Sequence, residues 1–531
     1  MPRVGVAISG GGHRATVWGA GAVLALGDAG LAPAITSVAS VSGGSITNGV
    51  LAHDVDLGTA SEEQIEATLG RMVRWVVHDG LFWFGDATNA WVSGFLQAAS
   101  LLAGSLVGLM FAYLFAGREI NPLWSLVFAA AGLALGLLLQ RKLAGMGMPL
   151  GMRRWLIAYL LLGLGLPALA LIWLTTYAHE WWLVGACLLA TIVVGVVVWW
   201  FLRVFGGRAL AVEAALDRVV FGGATLAGSD HVGVHHVFCT TDLQSGDALY
   251  FTPRLVSGYR PGFGTPGTFP LARAVQCSAD LPGAFPPRVL PNRDNATFHF
   301  SREYDLHRPG FPASIDKLVV NDGGVYDNMA DQWEQGYQAR AERTGSPLPK
   351  DGGADFLVVV NAGKALGWQP WKAGRLLGDI PGLSRTINVL YDVSTSFRRQ
   401  RLVSSWDNQG QSGSGPAGVL THVATSPLSL VWRFHKGGGD AKQQAAADEA
   451  LPIVEALADF DGWQRIADAN AGVKTTLGRL EVDDVANLLW HAYVLTTVSL
   501  RVVHDLGPPL DPARLQRDRF VRLCQEAAGS R

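Results

Sequence analysis

Charge is what this sequence has least of. Only 16% of its 531 residues are Asp, Glu, Lys or Arg, against roughly a quarter in ordinary soluble domains. The 42 basic and 44 acidic side chains nearly cancel, so no excess of one sign recruits a polyanion and nucleic acid is set aside as a partner. Cysteine is scarce as well. Cys187, Cys239, Cys277 and Cys524 are scattered without a CxxC pair, which argues against a disulfide framework or a metal site and fits a reducing compartment. No basic n-region precedes an apolar h-region, so a cleaved signal peptide is not expected. Neither a metal nor a cofactor is expected. What the chain has in abundance is apolar surface, at 49% of residues with 18 Trp.

Much of that surface is concentrated. The stretches 95–116, 122–139, 155–177 and 181–202 contain no Asp, Glu, Lys, Arg or His, and each approaches the ~20 residues that cross a bilayer core. Trp and Tyr cluster near their ends, as at Trp155, Tyr177, Trp181 and Trp200, where an aromatic belt would place them. Arg141, Lys142, Arg153 and Arg154 lie between the second and third stretches, and Arg71, Arg74, Arg203 and Arg208 flank the set. The positive-inside rule then predicts a four-span protein of the cell membrane, with both termini, the regions flanking the set and the link between its second and third stretches in the cytoplasm. Gly104, Gly108, Gly132 and Gly136 would let such helices pack closely, also as a homo-oligomer.

On either side the pattern is α/β. An apolar strand at 4–8 runs through a Gly-rich turn into a helix at 16–29, and a strand at 35–41 runs through a second such turn into a helix at 46–57. Further strands are expected at 234–240, 317–320 and 356–360, and helices at 328–344, 384–401, 440–459 and 482–503. Gly- and Pro-rich loops are expected at 257–270, 281–294 and 407–418. The expected organisation is a first α/β part at 1–90, the membrane insertion at 91–208, a second α/β part at 209–365 and a mostly helical extension at 366–531.

Three turns carry candidate chemistry. Ser9-Gly10-Gly11-Gly12-His13-Arg14-Ala15 matches a dinucleotide-binding G-x-G-x-x-A, yet the strand at 35–41 lacks the acidic residue that would hold a ribose. The same run of glycines at a helix N-terminus also presents backbone N–H groups to a developing oxyanion. Val38-Ala39-Ser40-Val41-Ser42-Gly43-Gly44-Ser45 reads as a nucleophile elbow with Ser42 at the centre of G-x-S-x-G and Ser40 in place of the first glycine. Ser40 and Ser45 are rival nucleophiles, or hydrogen-bonding residues at a helix N-cap. Asp322, in Val319-Val320-Asn321-Asp322-Gly323-Gly324-Val325, ends an apolar strand and alone would read as an Asx turn. His13 invites the role of base but reads better as a local packing residue. Arg14 would bind a lipid phosphate or fix the glycine loop through a carboxylate.

In this order along the chain, the Ser-Gly-Gly-Gly-x-Arg turn, the serine elbow and the Asp-Gly-Gly resemble the patatin-like phospholipases and the related catalytic domains of cytosolic phospholipase A. Thr240-Thr241-Asp242-Leu243-Gln244-Ser245-Gly246 and the segment from Ala274 to Pro287 resemble the same family. The resemblance covers about 1–60 and 232–335. It implies a three-layer α/β/α sandwich around a mainly parallel sheet. It also implies a Ser42–Asp322 dyad with Gly10, Gly11 and Gly12 as oxyanion hole, and a phospholipid or other acyl lipid in the bilayer as substrate. Water as acyl acceptor makes the protein a hydrolase, whereas an alcohol or lysolipid makes it a transacylase. A third reading is an inactive α/β domain on a membrane scaffold.

Overall fold

The computed structural model describes residues 1–78, 80, 127, 130–131, 207–231, 233–282, 285–291, 299–301, 316–343, 346–367, 379–407 and 416–525. The chain divides into a unit of 1–82, 209–368 and 382–531 and a second unit of 83–208 and 369–381. Nearly all described residues belong to the first.

The expectation of a four-span cell-membrane protein is corrected here. Among the described residues no helix is long and apolar enough to cross a membrane. The most apolar long helix, Val482–His504, carries Asp483 and Asp484 in its first turn and Arg501 and His504 in its last, and most of its side chains are buried in the protein core. The four apolar stretches that prompted the expectation lie outside the described residues, save 127 and 130–131.

One mixed sheet organises the first unit. Val4–Ile8 (β1), Ile35–Ser40 (β2), His235–Asp242 (β3), Phe356–Asn361 (β10) and Ala417–His422 (β11) run parallel in the order β11-β10-β1-β2-β3. Beyond β3 the sheet turns antiparallel through Asp247–Phe251 (β4), Val256–Gly258 (β5), Gly262–Thr265 (β6) and His299–Ser301 (β8). Lys317–Asp322 (β9) pairs with β3, and Arg288–Pro291 (β7) pairs with β9.

The central strands read as unbroken apolar runs because both faces are covered. Val4, Val6, Ile8, Val38, Phe238, Val358 and Val360 point into one core, and Ala7, Ala39, Val237, Leu357 and Val359 into another. The first core is closed by His13–Asp28 (α1), Gly43–Asp54 (α2), Glu62–His78 (α3) and Val482–His504 (α7). Tyr493 of α7 donates to Asp28 of α1 at 2.6 Å, and Trp18 of α1 donates to the Thr421 carbonyl at 3.2 Å. The second core is closed by Met329, Trp333 and Tyr337 and by Leu402 of the long helix Asp379–Asp407 (α5). Leu271–Ser278 (α4) and Ala441–Leu457 (α6) also pack into the first core, the latter started by an Asp440 capping box.

Two sequence expectations differ from the structure. The helix expected at 328–344 is two short pieces, Gln332–Gln335 and Tyr337–Ala341, preceded by a third, Gly324–Asp327. The Asp327 carboxylate takes the N–H groups of Met329 and Gln332 at 3.0 and 2.8 Å, offering the backbone an alternative to a helical ladder. The loops expected at 257–270, 281–294 and 407–418 contain or adjoin strands β5, β6, β7 and β11.

Candidate active site

Strand pairing alone brings the three turns together. β1 and β2 lie side by side with Ile8 opposite Ser40, so the glycine turn and the elbow leave the sheet at the same level. Along β3, residues 235–238 pair with β2 and residues 240–242 pair with β9 on the edge that β2 vacates. Asp322 sits opposite Thr240, just past the point where β2 ends. The Asp turn therefore faces the elbow head-on.

Ser42 has φ 52° and ψ −123° and is one of three non-glycine residues with positive φ among those described. This is a sparsely populated conformation, costing on the order of 1–3 kcal/mol and held only where the surroundings over-determine it. They do so here. A Cβ at Gly43 would collide with the Gly12 carbonyl oxygen, and one at Gly44 would lie 2.7 Å from the Ile8 and Ser9 carbonyl oxygens. The elbow and the glycine loop are thus pressed against each other. Ser42 keeps partial exposure while its neighbours Val41 and Gly43 are buried.

The rival serines are spent behind the turn. Ser40 Oγ donates to the Val237 carbonyl at 3.1 Å and accepts from Asn48 Nδ2 at 2.9 Å. Ser45 Oγ lies 3.0 Å from Ser40 Oγ and 2.8 Å from Ser278 Oγ. Both are fully buried.

The glycine loop divides its donors. Gly10 N–H is given to the Asn328 carbonyl at 3.0 Å, whereas Gly11 and Gly12 form no backbone N–H bond among the described residues. Gly11 is the partly exposed member. The N-terminus of α1 is closed on its other side, where His13 N–H donates to the Thr476 carbonyl at 2.7 Å and a Cβ on Gly12 would lie 2.9 Å from Thr476 N. That covering segment removes the space a pyrophosphate would need at this helix end.

Asp322 is 1% exposed. Its Oδ1 accepts from Gly324 N–H at 2.7 Å, and its own N–H donates to Asn321 Oδ1 at 2.7 Å and to the Asp280 carbonyl at 3.2 Å. Thr241 Oγ1 donates to its carbonyl at 2.9 Å and accepts from Tyr326 N–H at 3.1 Å. Burial pushes the carboxyl up to about 7, with Gly324 N–H and the Ser42 side chain pulling weakly the other way. Ser42 is thus close enough to act on the carboxyl, yet Oδ2 has no hydrogen-bond partner of normal geometry. Catalytic contacts are often loose before substrate binds.

Arg14 and His13 both serve the loop's frame. Arg14 donates Nε to the Ala362 carbonyl at 2.9 Å and Nη1 to the Val473 carbonyl at 2.7 Å. It fixes the loop through carbonyls, where the sequence suggested a lipid phosphate or a carboxylate as its partner, and burial lowers its pKa to about 10. His13 bonds the Gly478 carbonyl through Nδ1 at 2.8 Å, lies edge-on to Trp75 and is lowered by burial to about 4.

Two residues of the site carry no signal in the sequence. Tyr391 of α5 roofs the Asp turn: a Cβ on Gly324 would lie 2.7 Å from Tyr391 Cε1 and 2.8 Å from Asp322 Oδ1. Its hydroxyl is buried without a partner, and burial first and Asp322 second push its pKa up. Asn328 lies between the glycine loop and the Asp turn, its Oδ1 2.8 Å from a Cβ placed on Gly324. Tyr391 comes from a segment remote from any motif and only the fold brings it in, whereas Asn328 lies four residues after Gly324 of the Asp-Gly-Gly motif.

No protein-family model matches the chain, and no curated protein matches it. Among solved structures, human GIVD cytosolic phospholipase A2 is similar at 14% identity and a TM-score of 0.36, over 98% of this chain and 60% of that one. The chain thus spans three-fifths of the length of that protein. A likeness this distant carries nothing about the chemistry of the site.

Proposed function

We propose that the chain is a serine acyl hydrolase of lipid esters, of patatin-like α/β/α architecture, acting through a Ser42–Asp322 dyad. The observation that supports this reading most is the strained Ser42, set beside the glycine loop and facing a buried carboxyl with an unpartnered oxygen. A carboxyl raised to about 7 is matched to proton transfer near neutral pH. The choice of a lipid ester rests on the motif resemblance.

Ser42 Oγ attacks the ester carbonyl carbon as its proton passes to Asp322 Oδ2. The N–H groups of Gly11 and Gly12 receive the oxyanion, while Gly10 holds the loop to Asn328. Collapse expels the alkoxide, which takes the proton from Asp322 and leaves an acyl-enzyme. Water then attacks, gives its proton to Asp322, and the fatty acid departs as Ser42 regains a proton. Labelling of the protein with a fluorophosphonate, with release of acid from an ester measured alongside, tests the reading. Both are expected to vanish in Ser42→Ala and persist in Ser40→Ala. Retention in Ser42→Ala removes the assignment.

A further inference from the structure

The dyad residues come from segments 280 residues apart in sequence, and something must hold them in register. The end of α4 and the two residues after it do this. An α-helix leaves its final carbonyls without intrahelical partners, and here they are used by the site. The Ser278 carbonyl accepts Ser42 N–H at 3.1 Å and Gly323 N–H at 3.2 Å, and the Asp280 carbonyl accepts Asp322 N–H at 3.2 Å. One three-residue segment thus grips the residue before α2 and the turn after β9 together.

The Ser278 side chain adds to this grip. Its Oγ is a second acceptor for Ser42 N–H at 3.2 Å, donates to the Cys239 carbonyl at 2.7 Å and lies 2.8 Å from Ser45 Oγ. Cys239 is in β3, the strand that pairs with both β2 and β9. The hydroxyl therefore ties the strained nucleophile to the strand shared by both halves of the dyad. Ser278 is fully buried behind Ser42.

We infer that Ser278 is a positioning residue of the dyad, whose hydroxyl holds the Ser42 backbone in its strained conformation and in register with Asp322. The inference rests on the Ser42–Asp322 reading. It predicts that loss of the hydroxyl lets the turn relax, and small misplacements of a nucleophile are costly, about a hundredfold for ~1 Å.

The test compares wild type, Ser278→Ala and Ser499→Ala. The last deletes another buried hydroxyl, bonded within α7 to the Leu495 carbonyl at 2.6 Å. The rate constant of fluorophosphonate labelling, its end-point stoichiometry, kcat and KM for a short-chain nitrophenyl ester, and Tm are measured on each. In Ser278→Ala the labelling rate constant and kcat are expected to fall about ten- to a hundredfold. KM, stoichiometry and Tm should stay close to those of Ser499→Ala. A folded Ser278→Ala protein with labelling and kcat within about twofold of wild type overturns the inference, since a packing role alone would move only Tm. Where Ser278→Ala does not fold, Ser278→Cys keeps the volume with a weaker hydrogen-bonding atom. Its rates should fall by less, and wild-type rates there again overturn the inference. Wild type that never labels removes the dyad reading and this inference together, whereas labelled wild type with unaffected Ser278 variants removes this inference alone.

Discussion

Burial of the Asp322 carboxyl sets both how the proposed base works and what it costs the fold. As a base it must be ionised, so kcat/KM should rise with pH and level off above about 7. A pH profile with no inflection near neutrality would count against Asp322 as the base. Stability runs the other way. From pH 3.8 to about 7 the folded protein keeps a proton that the unfolded chain has lost, so this contribution is complete at low pH and disappears as pH rises through 7. Linkage sets the penalty above that point at roughly 4 kcal/mol as an upper bound. Asp322→Asn should therefore raise Tm at pH 8 while lowering kcat by about 10²–10⁴, measured by thermal unfolding and ester turnover on the same preparation. Asp322 and Ser42 were legible in the sequence because each ends an apolar strand beside glycines. Ser278 lies in a segment the sequence did mark, from Ala274 to Pro287, but its role and the presence of Tyr391 were not legible, because both lie in contacts with residues far along the chain.

Arg398 ties helix α5 to the segment that follows the Asp turn. Arg398 Nε lies 3.7 Å from Asp327 and Nη1 lies 3.7 Å from Asp331, and its guanidinium also donates to Gln332 Oε1 at 3.1 Å and to the Tyr326 carbonyl at 3.3 Å. Burial, followed by Asp327, pushes the Asp331 carboxyl well up. Arg398→Ala should cost about 2 kcal/mol, less than the ~3–5 typical of a broken buried pair, because Asp331 can take up a proton instead. Tyr391 sits on the same helix against Gly324, so labelling by fluorophosphonate should slow along with the fall in Tm. At the elbow, Gly43→Ala sets a methyl against the Gly12 carbonyl and should abolish labelling; a variant with wild-type labelling would mean the two turns are not in contact. Strands buried on both faces, such as β1 and β10, announce themselves as apolar runs. The antiparallel strands β5 and β6 are short and carry Gly258, Gly262 and Gly264, so the same residues that read as loop serve a sheet extension.

At the scale of the molecule, residues 366–531 do more than extend a finished catalytic domain. Val473, Thr476 and Gly478 hold the glycine loop through Arg14, His13 N–H and the His13 ring. Tyr493 reaches Asp28, and Arg519 bonds the same carboxylate at 2.7 Å. Truncation after residue 440 should leave no cooperative unfolding transition, checked by calorimetry; a folded product would show that α1 does not need α7. The arrangement also has a consequence for synthesis. Gly10 to Gly12 are made more than 450 residues before the Val473, Thr476 and Gly478 carbonyls that brace them from the far end of the chain. At roughly 5–20 residues per second, that is a delay of about half a minute to a minute and a half. During that interval the nascent chain carries Ser42 and the glycine loop without these three carbonyls, so the proposed hydrolase would stay unarmed until this part of the chain has been made.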